Sequence, residues 1–291
     1  MSELRLSNPV RLAGIIEKYN FRFQKKYGQN FLIDDHILEK ITEAADIRRD
    51  DLAVEIGPGV GTLTERLCEK AGHVLAVEVD QNLIPILQDT LSAYDNKTIL
   101  NADILKTDIR HYADEILPGA PIKVVANLPY YITTPIVMEL LESDLPLTSV
   151  TVMVQKEVAQ RMQATPGTKD YGALSLTVRY YTEPKVVTTV SKNCFMPRPN
   201  VDSAVICLQK RAYPAVETKD PNFLFRLIRA SFAQRRKTLV NGIGNAADLP
   251  ITKQQATEAL QSLGWSENLR GETLTLEQFA HLSDMLCEIR T

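Results

Sequence analysis

Cysteine is scarce in this 291-residue chain, and its four thiols, at 68, 194, 207 and 287, have no metal-ligand spacing. So scattered a set rules out a disulfide-built secreted scaffold and reads as reduced, mostly buried thiols of a cytoplasmic protein. Histidine is equally thin, at 36, 73, 111 and 281, with no ligand pattern. No metal is expected. No apolar run approaches the twenty residues of a membrane span, and the start, Met-Ser-Glu-Leu-Arg, lacks the apolar stretch of a secretory leader. Internal repeats and low-complexity tracts are missing too. So is a net positive charge: the balance is −3, which taken whole argues against a nucleic-acid partner.

Mapping the charge reverses that argument. Residues 1–30 carry a surplus of +4 and residues 185–237 a surplus of +8, so the remainder carries −15. Basic patches of this kind attract phosphates and make affinity salt-dependent. The sharpest is Phe232-Ala-Gln-Arg-Arg-Lys237, where Arg235, Arg236 and Lys237 would cover much of a helix circumference. The same run also fits a solvated helix end, where cations are favoured by the dipole. At 44% hydrophobic and 24% charged, the chain is large enough for one big domain and one small one.

The most informative stretch is Glu55-Ile-Gly-Pro-Gly-Val-Gly-Thr-Leu-Thr64. Leu52–Ile56 is a short apolar run of the kind that forms a buried parallel strand. Glycines at 57, 59 and 61 let the chain turn tightly and bring bare backbone to a ligand. A helix starting near Thr62 turns its free N–H groups to the same space. The spacing is G-x-G-x-G rather than the dinucleotide G-x-G-x-x-G, which argues against NAD. A second strand, Val74–Val77, ends in Glu78, placed to accept from both hydroxyls of a ribose. A third ends near Asp103, able to accept from an adenine amino group. A fourth, Ile122–Ala126, delivers Asn127. Ligands of open α/β sheets bind at the carboxyl ends of strands, where Gly57, Glu78, Asp103 and Asn127 all fall.

Asn127-Leu-Pro-Tyr130 suits an amine on a flat ring. An adenine N6 is a poor nucleophile because its lone pair is delocalised into the ring. Acceptors on its two N–H bonds free that pair. The Asn127 side-chain oxygen is one acceptor, and a backbone carbonyl at Leu128 or Pro129 is the other. The Tyr130 ring can stack on the base. The same residues also read as a plain Asx-turn. Together with the glycine loop they point to methyl transfer from S-adenosylmethionine to a nucleobase amine.

These segments resemble the KsgA (RsmA) family, the small-subunit ribosomal RNA adenine N6,N6-dimethyltransferases, nearly end to end. Lys26-Tyr-Gly-Gln-Asn-Phe-Leu32 is similar to the family's cofactor-covering segment, and the resemblance implies that Gln29, Asn30 and Leu32 contact the methionine end. It likewise implies roles for Gly57 in cofactor binding, Glu78 at the ribose, Asp103 at the adenine, and Asn127-Leu128-Pro129-Tyr130 in catalysis. Phe195-Met-Pro-Arg-Pro-Asn-Val-Asp-Ser203 resembles the family's F-x-P-x-P-x-V-x-S segment, whose Phe packs against the target base opposite the Tyr. The basic F-x-Q-R-R-K segment recurs there as well.

The implied fold is α/β: a Rossmann-like class I methyltransferase with a seven-stranded sheet, over 1–210 with an N-terminal extension 1–30. A small helical domain, 211–291, contributes to RNA binding. Strands are expected near 52, 74, 98, 122, 150–154, 174–181 and 204–209. Helices are expected near 8–20, 35, 62, 81, 135, 156–162, 221–234, 253–263 and 275–289, and a mobile loop over 167–172. The expected activity is N6,N6-dimethylation of two adjacent adenosines in a hairpin loop near the 3′ end of 16S rRNA, with a role in small-subunit biogenesis. A monomer with no obligate protein partner is expected. Two other readings share the fold: an Erm-type enzyme acting on 23S rRNA, and a factor whose value lies in docking on the assembling subunit, as in the related mitochondrial transcription factor B.

Overall fold

The computed structural model describes residues 4–234 and 236–290, the side chain of Arg290 excepted. In chain order the elements are α1 (Pro9–Lys18), β1 (Phe31–Leu32), α2 (Asp35–Ala44), β2 (Leu52–Ile56), α3 (Thr62–Lys70), β3 (His73–Glu78), α4 (Ile84–Thr90), β4 (Lys97–Asn101) and α5 (Ile109–Ile116). There follow β5 (Ile122–Asn127), α6 (Thr133–Glu142), β6 (Leu147–Gln155), α7 (Lys156–Gln163), α8 (Ala173–Tyr181), β7 (Thr182–Val190), β8 (Phe195–Met196) and β9 (Ser203–Lys210). Four helices close the chain: α9 (Pro221–Ala233), α10 (Leu239–Gly244), α11 (Lys253–Ser262) and α12 (Leu276–Arg290).

Seven strands make one sheet in the order β4-β3-β2-β5-β6-β9-β7. The first five run parallel, and β9 pairs antiparallel with β6. Burial explains their composition: every residue of β2 is buried, and β5 is buried up to Asn127, so neither strand can alternate polar with apolar. The strand order reverses between β2 and β5. A crevice therefore opens at their C-terminal ends, which is where this class of sheet binds ligands. The chain enters through α1, started by Asn8, whose side chain accepts from Val10 N and Arg11 N, with Pro9 in the first turn. β1 pairs with β8, setting Leu32 opposite Phe195.

By compactness the chain forms two units, Met1–Ala159 with Pro184–Lys210, and Gln160–Glu183 with Arg211–Thr291. The second unit holds α9 to α12 and also residues 160–183. Its core contains Tyr171, Leu176, Tyr180, Phe223, Phe225 and Phe279. Tyr181 stacks on Phe225 at 5.4 Å, and Tyr180 meets the same ring edge-on at 5.0 Å.

Three local expectations are corrected. Residues 174–181, expected as a strand, form α8. The alternation Leu-Ser-Leu-Thr-Val matches a strand, but Leu174 through Val178 are all buried, and an element buried on every side carries no readable period. The seventh strand is instead β7, an edge strand that tolerates Pro184. The loop 167–172 is pinned: Gly167 N donates to the Glu272 carbonyl at 2.8 Å, and the buried Tyr171 hydroxyl to the Leu274 carbonyl at 2.7 Å. Third, α9 ends at Ala233, with Gln234 already out of the helical region at φ −129°, ψ 67°. Arg236 and Lys237 thus follow the helix rather than ring it, both exposed, while Arg235 lies outside the described residues.

Candidate active site

The glycine loop leaves β2 with all three glycines at positive φ, +69°, +63° and +95° for Gly57, Gly59 and Gly61. At Gly59 the reason is also steric: a Cβ there would sit 2.8 Å from Phe31 Cε1. Phe31 closes over the loop because Phe21 and Phe23 pack against it at 6.0 and 5.3 Å. Gly57, by contrast, faces open space. That space is a cleft whose walls include Gln29, Asn30, Leu32, Gly57, Glu78, Asp103, Asn127, Leu128, Pro129 and Tyr130, ten of the eleven site residues singled out in the first unit.

Two buried carboxyls stand behind the loop. Glu78 accepts from Gly59 N at 3.2 Å and from Asp80 N at 2.8 Å. Burial, opposed by those N–H groups and reinforced by the Asp80 charge, pushes its carboxyl up to about 7. Glu55 is pushed up to about 8 by burial, eased by Thr64 and raised further by Glu78. Glu55 Oε2 and Thr64 Oγ1 are both buried and have no hydrogen-bond partner of good geometry among the described residues. Asp103 is different: 39% exposed, it caps Leu105 N through Oδ1 at 3.1 Å, leaving Oδ2 3.9 Å from Lys106 Nζ.

The Asn127 amide is oriented by the N-terminal segment. Its Nδ2 donates to the Asn30 carbonyl at 2.9 Å, leaving Oδ1 available to accept from an incoming amine. The structure also separates the two candidate carbonyls. Pro129 O is taken by Ile132 N at 3.2 Å and Thr133 Oγ1 at 3.1 Å. Leu128 O has no hydrogen bond among the described residues, while its N–H is anchored to the Met153 carbonyl at 3.1 Å. Asn127 Oδ1 and Leu128 O are therefore the open acceptor pair.

Tyr130 is held by its hydroxyl, 2.8 Å from Ser203 Oγ at the start of β9. Burial raises its phenol, and Ser203 offsets part of that rise. Phe195 is the residue the structure keeps out of the cleft. It is 4% exposed and packed in a core with Leu32, Val190 and Val205, so it supports β1 from behind. Two residues that sequence reasoning passed over complete the site, the buried Asp80 and Tyr131, which is 59% exposed and lines the cleft beside Tyr130; Ser203, read only as the end of the F-x-P-x-P-x-V-x-S segment, gains a role through Tyr130. The x-Asp in Glu78-Val-Asp80 was a readable signal. Nothing before the fold connected Ser203 with Tyr130.

One prediction follows from the Tyr130–Ser203 bond. Ser203→Ala and Tyr130→Phe should each slow turnover by roughly two- to ten-fold, the equivalent of about 0.5–1.5 kcal/mol for one hydrogen bond. The double variant should be no slower than either single. Additive losses in steady-state rates would show that the two hydroxyls act separately.

The residues suit a nucleoside with a cationic tail: backbone free of side chains at Gly57, a deep carboxyl at Glu78, a shallower one at Asp103, and an unpartnered buried oxygen on Glu55. Comparison with known proteins agrees. The family described as "Ribosomal RNA adenine dimethylase" matches residues 20–287. A protein of Lachnoclostridium phytofermentans named "Ribosomal RNA small subunit methyltransferase A" is 59% identical over 284 residues, covering 97% of this chain and 98% of its own length. A solved dimethyladenosine transferase from Plasmodium falciparum superposes with a TM-score of 0.72 at 26% identity, covering 87% of this chain and 95% of its own. The solved 23S rRNA methyltransferase ErmE gives 0.64 at 28% identity, covering 89% and 100%.

Proposed function

This chain belongs to the ribosomal RNA adenine dimethylase family, and from that membership we propose that it dimethylates N6 of two adjacent adenosines in a hairpin loop near the 3′ end of 16S rRNA. The observation that carries the chemistry is the pair of open acceptors, Asn127 Oδ1 and Leu128 O, in the same cleft as Glu78. S-adenosylmethionine, when bound, supplies an electrophilic methyl group on a sulfonium. Glu78 would hold its ribose and Asp103 its adenine, beside the bare backbone at Gly57. No metal is required.

The protein's part is to bind and orient. Asn127 Oδ1 and Leu128 O accept from the two N–H bonds of the target amine, drawing the nitrogen out of the ring plane and freeing its lone pair. The Tyr130 ring, fixed through Ser203, stacks on the base, an interaction of about 1–3 kcal/mol. Phe195 enters as the buried support of β1 and not as a second face of the base. No strong base is needed, since the amine becomes acidic as the new bond forms. Positioning and electrostatics supply the rate.

Small-subunit preference is supported by the names of the relatives, 59% identical in the case above. The exposed Arg236 and Lys237 belong to the proposed RNA surface of residues 211–291, and with Arg235 they give the cations a phosphate backbone requires. The described walls of the cleft all come from residues 27–136, and a monomer is the working unit of this reading. No described helix is long and apolar enough to cross a membrane, and action on ribosomal RNA supports a cytoplasmic site of work. Sedimentation against purified subunits tests the substrate. Unmethylated small subunits should bind at least about ten-fold tighter than large ones, a difference of about 1.4 kcal/mol. Preference for the large subunit would move the chain to the 23S-acting reading that the ErmE likeness keeps in view.

A further inference from the structure

The N-terminal segment that borders the cleft is held midway by a buried carboxylate, and that carboxylate belongs to a residue outside the proposed cofactor and catalytic sets. Asp80 is 1% exposed. Its carboxylate accepts from Gln24 Nε2 at 3.1 Å (Oδ1) and 3.0 Å (Oδ2), and from Gln29 Nε2 at 2.7 Å. The remaining contacts come from Asn82, through its N–H at 3.1 Å and its Nδ2 at 2.9 Å. All of these donors are uncharged. A buried carboxylate without a cation depends on its full set of hydrogen bonds, and three of these five contacts come from residues 24 and 29. Lifting the segment would strip them away.

The same residue reaches the cleft from its other side. The Asp80 N–H donates to Glu78 Oε1 at 2.8 Å, while Glu78 Oε2 accepts from Gly59 N. A continuous chain of hydrogen bonds therefore runs from the glycine loop through Glu78 and Asp80 to Gln24 and Gln29. Gln29 joins it through both ends of its amide, Nε2 donating to Asp80 and Oε1 accepting from Gln24 N at 2.7 Å. The segment continues to Asn30, whose carbonyl orients Asn127. At the other end it is moored by the Phe21–Phe23–Phe31 cluster.

We propose that Asp80 is a positioning residue that latches residues 22–30 as a strap along the cleft, so that strap closure and cofactor binding are one coupled equilibrium. The proposal rests on the cofactor-site reading given above. Because linkage is reciprocal, whatever loosens the strap must weaken cofactor affinity, and the bound cofactor must tighten the strap. Gln24 is the informative position: it does not line the cleft, so it touches the cofactor only through the latch.

The test uses the full chain and S-adenosylhomocysteine as probe, titrated by calorimetry, with trypsin cleavage after the exposed Arg22, Lys25 and Lys26 as a second readout. Gln24→Ala should weaken binding by about five-fold or more, the lower end of allosteric coupling. Asp80→Asn should weaken it at least as much, and adding Gln24→Ala to Asp80→Asn should cost nothing further. In methyl transfer, Gln24→Ala should raise KM for the cofactor and leave kcat unchanged. The probe should protect the strap from trypsin in the wild type and fail to do so in Asp80→Asn. Wild-type binding matched within two-fold by Gln24→Ala, with equal protection, would overturn the latch. No binding by the wild type would refute the cofactor-site reading itself. Should Asp80→Asn not fold, Gln24→Ala decides alone.

Discussion

Replacing Asn127 with alanine is expected to cut methyl transfer by about 10²–10³-fold, the loss typical of removing one preorganised polar group aimed at a developing charge. The reason lies in the orientation of the amide. Nδ2 donates to the Asn30 carbonyl, which fixes the amide and leaves Oδ1 open to accept, and with Leu128 O it makes a pair of open acceptors among the described residues, proposed above to take the two N–H bonds of one nitrogen. Alanine leaves that amine with one acceptor and its lone pair largely in the ring. Affinity for S-adenosylhomocysteine should change by only a few-fold, because Glu78, Asp103 and Gly57 are untouched. Single-turnover rates beside calorimetric affinities separate the two effects. Turnover within a few-fold of the wild type would remove Asn127 from the chemistry.

Glu78→Gln should act on the other step, weakening S-adenosylhomocysteine binding by about 10–100-fold, as expected for losing charge-assisted hydrogen bonds worth roughly 1.5–3 kcal/mol. It should also change how the protein responds to pH. Burial lifts the Glu78 carboxyl to about 7 in the free protein, against about 4.3 for an unfolded glutamate. Between those values the folded chain holds a proton that the unfolded chain releases. The resulting stability is fully present below about 4.3 and is lost as pH rises through 7. Thermal midpoints of the free wild type should therefore fall from pH 5 to pH 8. Glu78→Gln should flatten that decline, with the part due to Glu55 remaining, since its carboxyl is raised to about 8. Ribose hydroxyls donating to Glu78 favour its ionised form, so cofactor binding near pH 6.5 should release a proton. Titration in buffers of different ionisation enthalpy reads that proton directly. Equal pH slopes for variant and wild type would show that Glu78 does not titrate in this range.

Much of the site was legible in the sequence because its parts are local. Apolar runs ending in Gly57, Glu78, Asp103 and Asn127 needed only the rule that ligands gather at strand ends, and β2 to β5 place all four around one cleft. Parallel order put the reversal between β2 and β5, where the glycine loop and Asn127 meet. What stayed hidden depends on contacts distant in the chain. Asp80 gains its meaning from Gln24 and Gln29, 56 and 51 positions away. Tyr130 is fixed by a serine 73 positions on.

The choice between Leu128 and Pro129 could not be made before α6 was in place, since it is Ile132 and Thr133 that occupy the Pro129 carbonyl. Residues 174–190 show the opposite difficulty. A helix buried all round imitated a strand, and a strand carrying Pro184 at the sheet edge gave no strand signal of its own. Phe195, for which the motif implies a place at the base, takes its neighbours from the β1–β8 pairing and lies in the core of the free protein, an environment its segment alone did not reveal.

The most direct measurement is incorporation of labelled methyl from S-adenosylmethionine into small ribosomal subunits that lack the marks, with large subunits in parallel, followed by digestion to nucleosides. The account predicts label in small-subunit RNA recovered as N6,N6-dimethyladenosine, lost in Asn127→Ala. Label confined to large-subunit RNA, or binding to small subunits with no label at all, would contradict it.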